Sequence, residues 1–436
     1  MRLILLPLVA GFALVGCAPA DERAAPPGCP VPPSPAEALS SGDGRAPVVA
    51  GSRGADVAVA AWESATGGPV RGATATGGRW TPAADISEPG ARSPTAAAGG
   101  PGAAVAWDGV AGDARVVRVA RTAGGTWSAP GAVGGAAGTR PRRPSLAAAP
   151  SGALLLAWRG DPAGAVMAAV APPGGAFGPA APVIADGDVD EVAAAVTAGG
   201  RRTVAWIERA PDGAVVRAST DRGGVWSAPV TLSDPATTPA DLRAGTGSGG
   251  HLALVWRADL GERTERVDVV LRGPDGTWGA RRIVGASHRR ALGLPRPPGP
   301  ADIAPAVAVD GAGRVVVAWP ERAGGRERVL LAEVGPSGPG TPVRLGDSEA
   351  AGAPSLAIGD DGTVAAVWEA LDGARLSARI AFRPPGAMSW SGCRMLSAPG
   401  REVASPEVAW PAGGAAVALW ASTNDGAVLA RRVERP

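Results

Sequence analysis

Charged side chains recur one or two residues after a repeated tryptophan, where a β-strand is predicted to end and a loop to begin. Mixed acids and arginines at equivalent strand ends could hold a sugar or a peptide on one face. A carboxylate pair among Glu63, Asp108, Glu321 and Glu369 could serve acid–base chemistry, but no spacing selects a pair. Ordinary solvated charges would give the same pattern. The candidate binding face comprises Glu63, Asp108, Arg159, Glu208, Arg257, Glu321 and Glu369, with Ala421 closing the series.

The remaining composition argues against several other chemistries. The chain has 42 basic and 40 acidic residues, a net charge of +2, which is unlike an electrostatic nucleic-acid binder. Its two histidines, His251 and His288, are too few for a His-rich metal site. We find no phosphate-binding glycine loop and no nucleophile elbow. The sequence therefore predicts neither a metal nor a cofactor.

The repeat that carries these residues predicts the fold. Eight tryptophans end short apolar runs at intervals of 45 to 63 residues, and a glycine lies six residues before six of them. Glycine accepts the positive φ of tight hairpin turns, so each unit opens with a hairpin. A third β-like run and a Trp-Ser-Ala-Pro motif follow in the best units, giving about four strands per unit. Such units are typical of β-propeller blades. The repeated residues are Trp62, Trp107, Trp158, Trp206, Trp256, Trp319, Trp368 and Trp420, and we expect them to pack between blades.

The two ends of the chain complete one another. The last unit, from Ser405, has three strands, and residues 34–41 resemble the missing fourth strand. We therefore predict an all-β propeller of eight four-stranded blades, the last closed by an N-terminal strand, which removes an open sheet edge. A seven- or six-bladed ring with one degenerate insert is the alternative. We expect the longest interval to contain a loop near residues 285–301.

The N-terminus is typical of a bacterial lipoprotein. An apolar core precedes Leu14-Val15-Gly16-Cys17, which predicts a signal peptide over 1–16 and lipidation of Cys17. The alternative is an ordinary signal peptide cleaved near Ala18 or Ala20. Residues 17–33 form a Pro/Ala-rich tether and residues 34–436 the propeller. We expect an extracytoplasmic protein that its lipid anchors to the bacterial cell membrane. In an exported chain, Cys29 and Cys393 can form a disulfide.

The segment from Ser219 to Trp226 matches Ser-x-Asp-x-Gly-x-x-Trp through Ser219, Asp221, Gly223 and Trp226. On this pattern the chain resembles the Asp-box (BNR-repeat) sialidase superfamily. The resemblance implies a propeller in which the Asp-box is a structural turn between the third and fourth strands, away from the active face. Such sialidases use a tyrosine nucleophile, and this chain contains no tyrosine. These sialidases also use an arginine triad that binds the substrate carboxylate. All 42 basic residues of this chain are arginine, so chance matches to the triad are frequent; we transfer no triad residue and assign no catalytic residue.

Three functional classes remain open. The first is a membrane-anchored, non-catalytic propeller that binds glycans or proteins or acts as a scaffold, and we take it as the leading hypothesis. The second is a glycan-active hydrolase or lyase that uses carboxylates. The third is a structural partner in an envelope assembly. Whether the protein is an enzyme is not decided by the sequence, although the missing tyrosine argues against it. The oligomeric state stays open.

Overall fold

The computed structural model describes most of the chain. The described residues are 29–30, 35–42, 44–64, 67–112, 114–135, 142–160, 164–210, 213–261, 264–288, 304–323, 326–345, 351–372, 375–387, 389–398 and 401–435. Within these ranges the chain forms strands and turns, and no helix there is long and apolar enough to cross a membrane. The predicted signal peptide, Cys17 and nearly all of the tether lie outside the described residues.

The strands form eight antiparallel sheets with four strand positions each, which confirms the predicted eight-bladed β-propeller. In four blades the fourth position is divided into two short strands that both pair with the third strand. Blade 1 comprises β2 (Gly44–Gly51), β3 (Val57–Ser64), β4 (Val70–Thr76), β5 (Arg79–Trp80) and β6 (Ala84–Asp85). Blade 2 comprises β7 (Arg92–Gly99), β8 (Gly102–Ala111), β9 (Ala114–Ala123), β10 (Thr126–Trp127) and β11 (Gly131–Gly134). Blade 3 comprises β12 (Arg142–Ala148), β13 (Leu154–Arg159), β14 (Val166–Ala171) and β15 (Ala181–Ile184).

The following blades repeat this order. Blade 4 comprises β16 (Asp188–Val196), β17 (Arg202–Ala210), β18 (Gly213–Arg222), β19 (Val225–Trp226) and β20 (Val230–Thr231). Blade 5 comprises β21 (Thr238–Thr246), β22 (Leu252–Asp259), β23 (Thr264–Arg272) and β24 (Arg282–His288). Blade 6 comprises β25 (Ala306–Val309), β26 (Val315–Ala323), β27 (Arg326–Gly335), β28 (Gly338–Pro339) and β29 (Val343–Leu345). Blade 7 comprises β30 (Ala351–Ile358), β31 (Val364–Asp372), β32 (Arg375–Arg383) and β33 (Arg394–Met395).

Blade 8 joins the two ends of the chain, as predicted. It comprises β34 (Val403–Ala409), β35 (Ala416–Ser422), β36 (Val428–Val433) and, as its fourth strand, β1 (Glu37–Ala38). Glu37 pairs with Ala430 and Ala38 with Leu429. The Leu39 amide then donates to the Val428 carbonyl at 2.8 Å, and the Val428 amide donates to Ser40 Oγ at 2.9 Å. The N-terminal segment therefore covers the edge that β36 would otherwise expose.

One tryptophan fills each of the eight boundaries between blades. All eight repeated tryptophans are at most 2% exposed. Trp158 of blade 3 packs with Val117 and Val119 of blade 2, and Trp62 of blade 1 packs with Leu419 of blade 8, so the pattern runs around the ring. Gly134 shows how tight this packing is, because a Cβ there would lie 2.1 Å from Trp158. The expectation that these side chains pack between blades is confirmed.

Two faces follow from this topology. The turn face carries the turns between first and second strands, and the loop face carries the loops that follow the repeated tryptophans. The first strands surround the axis, where they contact one another. One local prediction is wrong in part, because residues 285–288 belong to β24 rather than to a loop. The neighbouring strand, β23, pairs with β24 as far as His288, and this pairing extends β24. The rest of the predicted loop lies outside the described residues.

Candidate functional site

The loop face is shaped by a bulge near the start of the first strands. In blades 1 to 5, 7 and 8 the pairing of the first and second strands slips at this point. Five non-glycine residues there take positive φ, between 45° and 56°. This conformation strains an L residue and must be held by its surroundings. The five residues are Ala46, Ser93, Arg143, Asp241 and Ser405.

Three predicted binding-face carboxylates hold these bulges. Glu63 Oε1 accepts the Ser93 amide at 2.6 Å, and Glu369 Oε1 accepts the Ser405 amide at 2.9 Å. Asp108 Oδ2 makes a longer contact of 3.4 Å with the Arg143 amide. In each case the carboxylate lies on one blade and the strained amide on the next. Glu63 is half-buried, Asp108 is 8% exposed and Glu369 is 0% exposed.

In blade 5 the bulge is held by a carboxylate from a different strand. Glu191, in the first strand of blade 4, accepts the Asp241 amide at 3.2 Å and the Leu242 amide at 2.8 Å. The predicted ring residue of blade 5, Arg257, forms ion pairs with Asp241 and Glu265. Burial alone would lower the pKa of Arg257, but the two carboxylates raise it. Arg257 is therefore a buried cation that is neutralised within its own blade.

The other three predicted residues lie within two residues of the loop-face ends of their strands. Glu208 Oε2 accepts the indole Nε1–H of Trp206 at 3.1 Å and lies 3.4 Å from Arg217. Glu321 pairs with Arg328 at 2.7 Å, and Arg159 is half-buried at the end of its strand. All seven residues lie in the second strands of their blades, and six of them lie one to three residues before the strand ends, so these strands run further than the sequence predicted. The structure joins six of the seven to neighbouring backbone, indole or charged groups, an engagement that the sequence analysis did not foresee.

The residues predicted to form an Asp-box lie around the turn between β18 and β19. Asp221 Oδ1 accepts the Gly224 amide at 2.6 Å, and Asp221 Oδ2 pairs with Arg202 at 2.8 Å. Gly223 has a φ of 69°, and Ser219 Oγ donates to the Ser227 carbonyl at 2.7 Å. Trp226 packs against the hydrophobic cluster between blades 3 and 4. These contacts serve the turn and the packing of the blade.

The first strands also bring together a polar group that sequence reasoning missed. Ser355 Oγ of blade 7 donates to Glu407 Oε2 of blade 8 at 3.0 Å and accepts the Val408 amide at 3.1 Å. Burial raises the pKa of Glu407, and the hydrogen bond from Ser355 and the charge of Arg243 oppose that rise. A carboxyl group with a raised pKa near a propeller axis is a candidate functional group. The weak signal was Pro406-Glu407, an acid where blades 3 and 7 have Pro-Ser.

A cavity of about 180 Å³ lies at the turn-face end of the axis. It is lined by the last residues of the first strands of blades 1, 5, 6, 7 and 8. Most of the lining is aliphatic, and the exceptions include Arg53, Thr246 and Trp410. Arg53 Nη2 donates to the Val309 carbonyl of blade 6 at 3.2 Å. Arg53 does not stand out in the sequence, because its place at the axis depends on which turns meet there.

Clusters typical of metal sites are absent from the described ranges, where no group of three or more His, Cys, Asp or Glu side chains converges. The structure joins Cys29 and Cys393 in a disulfide with their Cα atoms 4.8 Å apart, a separation that such a bond permits. The Met395 amide donates to the Pro30 carbonyl at 3.1 Å beside it. The bridge fastens the segment before β1 to the outer strand of blade 7.

Comparison with known proteins supports the fold and leaves the function open. No protein-family model and no curated protein sequence matches the chain. Its structure is similar to the WD40 domain of SCAP from fission yeast, at 10% identity and a TM-score of 0.52 over 91% of this chain and 97% of that one. It is also similar to the Dos1 propeller, at 9% identity and a TM-score of 0.52 over 93% and 95% of the two chains. Both similarities show a β-propeller.

Glycan-active propellers are also among the similar structures. An ulvan lyase has 12% identity and a TM-score of 0.48 over 80% of this chain and 95% of that one. A Hadza microbial sialidase has 13% identity and a TM-score of 0.41 over 67% of this chain. This chain spans 65% of the length of that sialidase. At these identities the likeness concerns the fold alone.

Proposed function

We propose that the protein is an extracytoplasmic lipoprotein whose β-propeller binds a glycan or a protein without transforming it. The observation that carries this proposal is the engagement of Glu63, Asp108 and Glu369 with the bulges of neighbouring blades. A carboxylate whose oxygen accepts a backbone amide is fixed in direction and is satisfied in its charged state. It joins neighbouring blades and makes the loop face rigid.

A rigid loop face favours ligand binding. A preorganised surface loses little conformational entropy when it binds, so more of the contact energy becomes affinity. On the loop face, Arg143, Arg209 and Asp190 supply a charged network across blades 3 and 4, and both arginines are more than half exposed in their side chains. Such groups can contact a polar ligand while the carboxylates beneath them hold the blades together. The absence of tyrosine removes the nucleophile of the enzymes that the sequence resembles.

A second candidate function rests on Glu407. Its raised pKa is a property that a general acid requires, which favours a hydrolase or lyase acting at the axis. Two-carboxylate glycosidase chemistry also needs a second acid at a suitable distance. The groups that act on Glu407 are the Ser355 hydroxyl and Arg243, a cation rather than a second acid, and this arrangement supports binding better than acid–base catalysis.

The proposal is tested on the full chain, purified with its anchor in detergent. Binding is measured on a glycan array and by capture of envelope proteins, and turnover is measured with a fluorogenic sialoside and a panel of glycosides. We expect retention of a ligand and no turnover. Turnover that is lost in Glu407→Gln and kept in Glu434→Gln, an exposed acid at the C-terminal end, would support the enzyme instead.

The location is tested separately. Because a diacylated cysteine is the predicted anchor, Cys17→Ser should move the protein from the membrane fraction to the soluble fraction. Mass spectrometry of the native protein should show a lipid on Cys17. A Cys17→Ser protein that stays in the membrane fraction, together with an unmodified Cys17 in the native protein, would contradict the lipoprotein assignment.

A further inference from the structure

The first turn of blade 1 carries an arginine to the axis. Arg53 lies in the turn between β2 and β3, and its guanidinium reaches the Val309 carbonyl on blade 6. The first strands present their free edges toward the axis, because each is the terminal strand of its sheet. Val309 O belongs to such an edge. Arg53 of blade 1 therefore extends across the turn-face end of the axis and contacts blade 6.

Neighbouring blades hold this turn in place. Ser52 Oγ donates to the Gly100 carbonyl of blade 2 at 2.8 Å, and the Ser52 carbonyl accepts the Ala412 amide of blade 8 at 2.8 Å. Gly54 lies so near blade 3 that a Cβ there would be 2.6 Å from the Pro150 carbonyl oxygen. The backbone that presents Arg53 is thus fixed by blades 2, 3 and 8. The guanidinium is therefore held in position at the turn-face cavity before a ligand binds.

The charge of Arg53 is only partly balanced. Burial lowers the pKa of Arg53, and the carboxylates of Asp360 and Asp310 counteract this only in part. Asp310 is committed elsewhere, since it accepts the Ala312 and Arg314 amides and pairs with the Arg314 side chain. Among the residues described, no carboxylate lies within ion-pair distance of Arg53. A guanidinium has five N–H donors, and the hydrogen bond to the Val309 carbonyl uses one of them.

Aliphatic side chains and the free backbone edges of the first strands both line the wall beside this cation. Val49, Val307, Leu356, Val408 and Trp410 line the cavity, and Trp410 is fixed by edge-to-face packing on Phe382 with ring centroids 5.9 Å apart. A cavity with one preorganised cation and several aliphatic side chains matches a ligand whose anionic head meets the cation and whose compact body contacts the aliphatic groups. A carboxylate fits the planar fork of a guanidinium. The cavity is smaller than the roughly 300–1,000 Å³ of most ligand pockets, which restricts the ligand to a compact group.

We propose that this turn-face cavity binds a carboxylate with a compact apolar body, and that Arg53 holds the carboxylate. Two sources supply such a carboxylate, a free small molecule and the C-terminus of a peptide that ends in an aliphatic residue, and the experiment below distinguishes them. The site deepens the binding function proposed above and rests on it. It lies on the turn face, away from the carboxylates that hold the loop face.

The experiment measures binding to the full chain in detergent by calorimetry. The probes are isovalerate and the free-acid peptide Gly-Gly-Leu, each paired with its uncharged amide. We expect at least one acid to bind and its amide to bind about tenfold more weakly or worse, as the loss of a charge-assisted contact implies. Binding of isovalerate indicates a small-molecule source, whereas binding of the peptide alone indicates a protein C-terminus.

Variants assign the binding to the cavity. Arg53→Gln should weaken acid binding about tenfold or more, whereas Asp360→Asn should strengthen it because a competing carboxylate is removed. Arg401→Gln is the matched control, since Arg401 pairs with Asp425 in an exposed ion pair far along the chain. Thr246→Leu narrows the cavity and should weaken binding while Arg53 remains. Melting curves show which variants are folded.

Two results would overturn this inference. One is failure of both acids to bind at concentrations near 10 mM, well above the ~1 mM dissociation constant of a weak ligand. The other is equal binding of the acids by the native protein and by folded Arg53→Gln. If either occurs while glycans or envelope proteins are still retained, this cavity assignment fails and the proposed binding function stands. If nothing at all is retained, both fail.

Discussion

Removal of the Glu369 carboxylate should loosen the boundary between blades 7 and 8. Glu369 is 0% exposed and accepts the amide of Ser405, whose φ is 50°. Glu369→Ala leaves this strained amide without its charged acceptor. Glu63 makes the equivalent bond to Ser93, with a φ of 54°, but is half-buried. Glu369 and Glu63 therefore allow equivalent hydrogen bonds to be compared at two degrees of burial.

The difference in burial sets the expected magnitudes. A hydrogen bond to a buried charged group contributes about 1.5–3 kcal/mol, so Glu369→Ala should lower the free energy of unfolding by about 2–3 kcal/mol. With an unfolding entropy of about 2.1 cal/mol/K per residue over about 400 residues, this corresponds to a Tm lower by about 3 °C if unfolding is cooperative. Glu63→Ala should cost about 0.5–1 kcal/mol, because solvent screens its charge.

Differential scanning calorimetry of the two variants, the native protein and Glu369→Gln measures these differences. Glu369→Gln keeps an acceptor oxygen and should fall between the native protein and Glu369→Ala. A Glu369→Ala protein that melts at or above the native temperature would refute the assigned role. So would an equal loss in Glu63→Ala, since the argument depends on burial.

Three further predictions concern Glu407, the closing strand and the disulfide. Because burial raises the pKa of Glu407, its protonated form favours folding, and this stabilisation is complete below the unfolded pKa of about 4.3 and lost as pH rises through the folded pKa. The Tm of Glu407→Gln relative to that of the native protein should therefore rise as the pH is raised from about 4 to about 8. A Tm difference that does not change with pH would contradict this. Deleting residues 30–42 should lower Tm by several degrees or cause aggregation, as measured by calorimetry and light scattering, because the edge of β36 is exposed; unchanged melting would argue against the closure. In Cys17→Ser, labelling of the unreduced, denatured protein should find no free thiol, and two labelled cysteines per chain would exclude the Cys29–Cys393 bridge.

The sequence was sufficient for the architecture because the repeat is local. Each blade repeats a strand, a glycine turn and a second strand ending in tryptophan, and each such hairpin is specified within a short segment. The closure was predictable from the count of strands in the last unit and from the likeness of residues 34–41 to other fourth strands. The end of β24 was not predictable, because the strand continues to His288 through backbone pairing with Thr264 in the neighbouring strand.

The sequence was less informative about the candidate site. It located Glu63 and Glu369 on the correct face, but their partners, Ser93 and Ser405, lie in the following blade. No pattern within one repeat reports such a contact. Arg53 was missed for the same reason, since Val309 is 256 residues away along the chain. Positions within a repeat are local properties, whereas the contacts that give them a function depend on how the ring closes.

The central claim is that this propeller recognises its ligand without changing it. The most direct measurement is mass spectrometry of a retained ligand, recovered after prolonged incubation with the full-length protein. We predict that the ligand is recovered chemically intact. A new species with the mass of a hydrolysis or elimination product, formed by the native protein and not by folded Glu407→Gln, would contradict the claim.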